Sequence, residues 1–163
     1  MTNPSLTHVS TEPQTYTLKE LQLVVRDVPA IPAEIEPFVG VQFRSSLDIF
    51  KTFRQLATMP SEVFLVVHLD CKNRLVGMTT TSIGSLTTGL AHPREVFRSA
   101  IINLTNSIIW VHNHPSGDPE PSTEDLEITR QLSETGRVIG IHVLDHIIIG
   151  SHRYFSFADE GLI

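Results

Sequence analysis

His112 and His114 stand one residue apart at the end of the apolar run Ser107–Val111, and Ser122 and Asp125 follow across a spacer rich in Gly, Pro and Asp. Alternate side chains of an extended chain point to one face, so the two imidazoles can converge on a single ion. The spacer Pro115–Pro121 cannot be regular structure. Beyond it, Ser122 reads as the N-cap of a helix carrying Leu126, Ile128 and Leu132, which places Asp125 in the first turn, able to face back toward the histidines. Zinc takes nitrogen and carboxylate oxygen at about 2.0–2.2 Å, and catalytic sites characteristically use three protein ligands and leave one position open. His112, His114 and Asp125 make three.

A plainer reading stands beside this one. Ser122-Thr123-Glu124-Asp125 fits a capping arrangement equally well, the hydroxyl bonding a first-turn amide while the acid reaches back. A lone His-x-His is common by chance, and the letters H-N-H do not make the nuclease of that name, which needs a ββα-metal context. The order of pair, turn-rich spacer, serine and aspartate is what points to a metal.

That order, His112-x-His114, seven residues, then Ser122-x-x-Asp125, resembles the JAMM metalloprotease motif of JAB/MPN domains. More narrowly, His112–Asp118, Asp145–Gly150 and Ser156–Leu162 resemble RadC-family JAB domains, and the likeness runs from about Ser46 to the C-terminus. The resemblance implies an α/β fold of the α+β type, with a mixed, cytidine-deaminase-like sheet flanked by helices. It implies zinc on His112, His114 and Asp125. It also implies a glutamate at the start of an earlier strand as general base, which is Glu62 at the mouth of Val63–Leu69, and a hydrogen bond from Ser122 to the oxyanion of a tetrahedral intermediate. The chemistry is coherent, because zinc lowers the pKa of water from about 15.7 to about 7 and a nearby carboxylate can then move the proton to a leaving amine. Apart from the motif, Glu62 would read as an exposed carboxylate at a strand edge.

The implied function is a zinc-dependent metallopeptidase or isopeptidase acting on a peptide or protein substrate. Two rivals remain. One is a DNA-associated metallohydrolase, such as a nuclease or a repair-linked protein of mobile elements; the other is a non-catalytic JAB/MPN scaffold. Charge does not support the first, since 12 Lys and Arg against 18 acidic residues leave a formal charge of -6, unfavourable for neutralising phosphates. Lys51, Arg54, Arg94 and Arg98 could form local patches but read as solvated helix faces. RadC relatives often carry a helix-hairpin-helix region before the JAB domain, and this sequence is expected to lack one, in the manner of RadC-like proteins of prophages.

The elements that must position these residues follow from composition and periodicity. A length of 163 residues with 40% hydrophobic content suits one core-forming domain over 46–163, preceded by a flexible tail and lead-in strand over 1–45. Tyr16–Val28 reads as that strand. No run reaches the roughly 20 apolar residues of a membrane span and no signal peptide is evident, so a cytoplasmic location is expected. Cys71 is the single cysteine, which leaves metal binding to His and carboxylate and suits a turn residue.

Leu47, Phe50, Phe53 and Ala57 predict a helix over Ser46–Thr58. Val63–Leu69 and Arg74–Ile83 predict a hairpin about the turn Asp70–Asn73. Gly84–Ala91 reads as a loop, and Pro93 starts a second helix with His92 as a capping or surface residue. Gly136 is expected to end the motif helix before one or two strands over Val138–Ile149. Asp145 and His146 interrupt that apolar run, either supporting the zinc shell or pinning adjacent strands by a buried hydrogen bond. Trp110, Tyr154, Phe155 and Phe157 read as core or edge packing.

Overall fold

The structure is a computed structural model describing residues 40–84 and 92–163. The expected strand Tyr16–Val28 and most of the Gly84–Ala91 loop lie outside the described residues. In chain order the described elements are α1 (Ser46–Phe53), a 3₁₀ segment (Arg54–Thr58), β1 (Val63–Leu69), β2 (Leu75–Ile83), α2 (Pro93–Ile102), β3 (Ser107–Asn113), α3 (Thr123–Ile139), β4 (His142–Ile149) and β5 (Tyr154–Ser156). They make an α+β fold around a mixed five-stranded sheet of order β2-β1-β3-β4-β5, as the resemblance implies. β1 is antiparallel to β2 and β3, β4 is antiparallel to β5, and β3 and β4 are parallel. Parallel neighbours need a crossover, which α3 supplies.

Both faces of the sheet are covered. On one, Ile49 and Phe53 of α1 pack with Leu65, Val67, Val111, Ile147 and Ile149. On the other, Val96, Phe97 and Ala100 of α2 and Leu132 of α3 pack with Phe64, Val66, Ile108 and Trp110. β3 lies between these layers and all seven of its residues are buried, which is why it reads as a nearly continuous apolar run rather than an alternating one. Each fully buried Ile, Leu or Phe contributes about 1.5–3 kcal/mol, enough to hold polar groups rigidly at the strand ends.

Two local outcomes differ from expectation. The first helix is α-helical only to Phe53 and tightens to 3₁₀ over Arg54–Thr58; Pro60 then holds Met59 extended, at φ -73° and ψ 135°. Gly136 does not end α3. The helix continues to Ile139 and stops at Gly140, whose φ of 75° suits glycine, while Ile141 N–H donates to the Gly136 carbonyl at 3.0 Å. Gly136 is glycine for a different reason: a Cβ there would strike the Ile141 carbonyl and press on Phe97 and Val143. His92 takes the N-cap position before Pro93, exposed and without a side-chain cap bond, in keeping with the capping or surface reading.

The Asp70–Asn73 turn forms as expected. Asp70 Oδ1 accepts from Lys72 N and Arg74 N at 2.8 and 2.9 Å, and Cys71 is exposed there. At the amino end of the described chain, Gly40–Phe43 hydrogen-bond alongside the start of β2. No helix among the described residues is long and apolar enough to cross a membrane.

Candidate metal centre

β3 ends, α3 begins and β4 ends at the same edge of the sheet, where parallel neighbours present their carboxyl ends and the crossover helix presents its N-terminus. Ligand sites in such sheets form outside the carboxyl ends of the strands. His112 is the penultimate residue of β3, fully buried, its ring stacked on Phe64 with centroids 4.7 Å apart. His114 lies just past the strand and is partly exposed. Their Nε2 atoms converge to 3.1 Å.

Asp125 joins them from the first turn of α3. One of its carboxylate oxygens, Oδ1, lies 3.3 Å from His112 Nε2, and the other, Oδ2, lies 3.5 Å from His114 Nε2. The capping reading holds at the same time: Ser122 Oγ accepts from Asp125 N at 3.1 Å, and Asp125 Oδ2 accepts from Ser122 N at 2.8 Å. The Ser122 hydroxyl donates its proton to Asp125 Oδ2 at 2.6 Å. Oδ2 is thus well supplied, while Oδ1 is buried without a hydrogen-bond partner. Burial works to raise the Asp125 pKa, but hydrogen bonds from His114 and Ser122 help to outweigh it and hold the carboxyl below its ordinary range.

The histidines are held differently. His114 Nδ1 donates to the Asp118 main-chain carbonyl at 2.8 Å, which leaves Nε2 to face the cluster. That carbonyl is in turn positioned by a tight loop contact. Ser151 N donates to Gly117 O at 2.9 Å, Arg153 pairs with Asp118 at 2.8 Å, and a Cβ on Gly150 would come within 2.6 Å of Gly117 O and 2.7 Å of Pro119. The Asp125 hydrogen bond raises the His114 pKa above its usual value, with the Asp118 carbonyl and the Asp125 and Glu62 charges adding to it against desolvation. Burial pushes His112 the other way, to about 3.

These atoms suit a cation. Ligands about 2.0–2.2 Å from a tetrahedral ion lie roughly 3.3–3.6 Å from one another, close to the separations among His112, His114 and Asp125. The orphaned Asp125 Oδ1 is a buried anionic oxygen with nothing else to satisfy it, a situation that costs free energy unless a cation or donor is supplied. His112, Asp125 and His146 form a second His-His-Asp group, with ligand atoms within 4.8 Å of one another. The tighter set is the better cradle, because both ring nitrogens of His146 are already engaged, by His112 Nδ1 at 2.8 Å and Thr129 Oγ1 at 2.6 Å.

Glu62 lies immediately before β1, half-buried, with its main-chain carbonyl accepting from Gly84 N at 2.8 Å. Its charge acts on His114. A residue that sequence reasoning passed over holds it there. Asn113, buried between the two histidines, accepts from Val63 N through Oδ1 at 2.8 Å and donates from Nδ2 to Ser61 O at 3.2 Å. The carboxamide therefore grips the backbone on both sides of Glu62. Its signal was a polar residue continuing a buried strand, hidden by the histidines around it.

Asp145 and His146, read together from sequence, separate here. Asp145 accepts from His146 N, Ala158 N and the Ser156 hydroxyl at 2.7, 3.0 and 2.6 Å, pinning the C-terminal turn to β4. Burial raises its pKa against those three bonds. His146 turns to the opposite side, between Trp110 and Phe157 at 4.4 and 4.5 Å, against His112.

Residues 43–162 match the family model of the RadC-like JAB domain. The chain belongs to the RadC-like JAB domain family. It is 45% identical over 129 residues to a UPF0758 protein of Desulfitobacterium hafniense, covering 78% of this chain and 57% of the relative. A Trichlorobacter lovleyi UPF0758 protein is 49% identical over 123 residues, covering 75% and 54%, and one from Methanosarcina acetivorans is 48% identical over 111 residues, covering 68% and 48%. The chain thus spans about half the length of the curated relatives it matches. Their names state no activity, so the RadC-like assignment carries a fold and a His-His-Asp group able to hold a metal, and no reaction.

Proposed function

We propose that this RadC-like JAB domain is a zinc-dependent hydrolase that cleaves amide bonds, as a metallopeptidase or isopeptidase, in a peptide or protein substrate. The observation that carries the reading is the convergence of His112 Nε2, His114 Nε2 and Asp125 within 3.1–3.5 Å around a buried carboxylate oxygen without a partner. His112, His114 and Asp125 would hold the metal. When bound, zinc supplies Lewis-acid polarisation and a water acidic enough to ionise near neutral pH.

The chain's own residues do the remaining work. Glu62 accepts the water's proton and returns it to the leaving amine. Asn113 keeps Glu62 in register with the metal-bearing strand by gripping the peptide groups on either side of it. Ser122 aims Asp125 through its hydroxyl and amide, and in the reaction turns that hydroxyl toward the developing oxyanion, a contact worth about 2.7–4 kcal/mol in other hydrolases. His114, the partly exposed member of the cluster, marks the side from which a substrate would reach it.

The test is elemental analysis of purified protein after dialysis against metal-free buffer, with peptide and isopeptide turnover measured in parallel. The expected result is near one zinc per chain, lost in His114→Ala and retained in Glu62→Gln, with turnover lost in both variants. No metal in the wild type, and none taken up from added zinc, would overturn the reading.

A further inference from the structure

Behind His112 lies a chain of hydrogen bonds whose polarity is set by one hydroxyl proton. Thr129 Oγ1 lies 2.5 Å from the Asp125 main-chain carbonyl, which can only accept, so the hydroxyl proton is committed there. Toward His146 Nδ1, 2.6 Å away, Thr129 can then only accept, and Nδ1 must carry a proton. The His146 ring is fully buried between Trp110 and Phe157 and hydrogen-bonds no carboxylate, an environment that favours the neutral imidazole. A neutral ring protonated at Nδ1 is bare at Nε2. His146 Nε2 faces His112 Nδ1 at 2.8 Å and so accepts from it. His112, neutral and protonated at Nδ1, is left with its Nε2 lone pair directed at His114 and Asp125.

We infer that Thr129 and His146 are positioning residues of the metal centre: they hold metal-free His112 in the Nδ1–H tautomer, with Nε2 bare toward Asp125. The opposite tautomer would place a proton where a metal ligand must offer a lone pair. The chain closes on itself, since Asp125 supplies both the carbonyl that orients Thr129 and the carboxylate that His112 faces. All its members are buried. Outer partners of this kind fix the tautomer and raise the basicity of ligating histidines. Thr129 lies one helical turn after Asp125, on the same face of α3, so a single helix places both. The consequence for metal affinity rests on the zinc reading above; the tautomer assignment does not.

Nitrogen-15 NMR of the metal-free, histidine-labelled protein at about pH 8, above the ordinary imidazole pKa of about 6.5, reads the tautomers directly. Protonated Nδ1 and bare Nε2 are expected for both His112 and His146. Thr129→Val removes the acceptor and should shift both rings toward the Nε2–H form and lower zinc affinity, measured by chelator competition, about 10–100-fold. Thr129→Ser should restore both readouts. A merely structural Thr129 would alter the melting temperature and leave the tautomers alone.

A wild-type spectrum with His112 protonated at Nε2 overturns the inference, as does a folded Thr129→Val variant with unchanged tautomers and affinity. If the wild type shows the assigned tautomers yet binds no zinc, the relay stands and the metal reading falls. Where Thr129→Val does not fold, His146→Gln decides: its carbonyl can accept from His112 and its amide can donate to Thr129, so it should retain zinc better than His146→Leu, and equal loss in both would count against the relay.

Discussion

β1 and β3 bury a histidine at each end of the sheet, and only one of the two forms a candidate site. His68, near the carboxyl end of β1, is fully buried with Nε2 3.0 Å from Thr79 Oγ1 and Nδ1 3.2 Å from Thr105 Oγ1. Hydroxyls can donate or accept, so His68 is satisfied in either tautomer. His112, equally buried, meets a committed acceptor at one nitrogen and an unfinished cluster at the other, with the Asp125 oxygen orphaned beside it. Burial lowers the pKa of both, to about 4 for His68 and about 3 for His112. Burial and a perturbed pKa therefore do not distinguish the ends. The unpartnered carboxylate oxygen beside His112 does.

The sharpest way to break this contrast is to remove the unfinished oxygen. Asp125→Ala should lower zinc affinity by more than about 100-fold, beyond the roughly 10–100-fold expected for outer partners, while His68→Gln leaves zinc affinity unchanged. Comparable losses in a chelator competition would erase the distinction. Next in size, Asn113→Ala should keep zinc but lower kcat about 100-fold or less, because it frees the backbone around Glu62 rather than the metal cradle, and an error of about 1 Å in a reacting group costs about that much. Zinc loss in Asn113→Ala would place its role in the cradle instead.

Acid sharpens the comparison from the His68 side. The unfolded chain protonates His68 near pH 6.5, whereas in the fold its pKa is about 4, so the unfolded state binds more protons between these values. The stability associated with neutral His68 is complete above about pH 6.5 and is lost as pH falls toward 4, by about 3 kcal/mol in all. Denaturant unfolding of metal-free protein across this range should show a shallower decline in His68→Gln than in the wild type. The smallest effect is expected for Thr105→Val, which leaves one ring nitrogen without its partner at a cost of about 1–3 kcal/mol. A thermal melt should register it with zinc binding unaltered.

Much of this was legible in the linear order of residues. The alternation of His112 and His114, the turn-rich spacer and the capping signal at Ser122 sufficed to bring two imidazoles and Asp125 together, because each step is local: a strand end, a loop and one helical turn. The buried strands were legible for the same reason. Gly136 was misread because two glycines four residues apart both look like helix stops. Only the approach of Ile141, Phe97 and Val143 shows that one serves packing and the other, Gly140, the left-handed turn. Asp145 and His146 could not be told apart as neighbours in sequence, since their opposite orientations depend on what packs against each face of β4.

The sequence by itself determined the membership, the order of the elements from the first helix to β4, and the proximity of His112, His114 and Asp125, since those depend on residue type and short-range spacing. Tertiary structure alone decided which buried polar groups were left incomplete. Asn113 meets the backbone around Glu62 across 50 residues, and His146 meets His112 across 34. Whether a buried nitrogen or oxygen finds its partner depends on contacts between distant segments, and no local pattern encodes that balance.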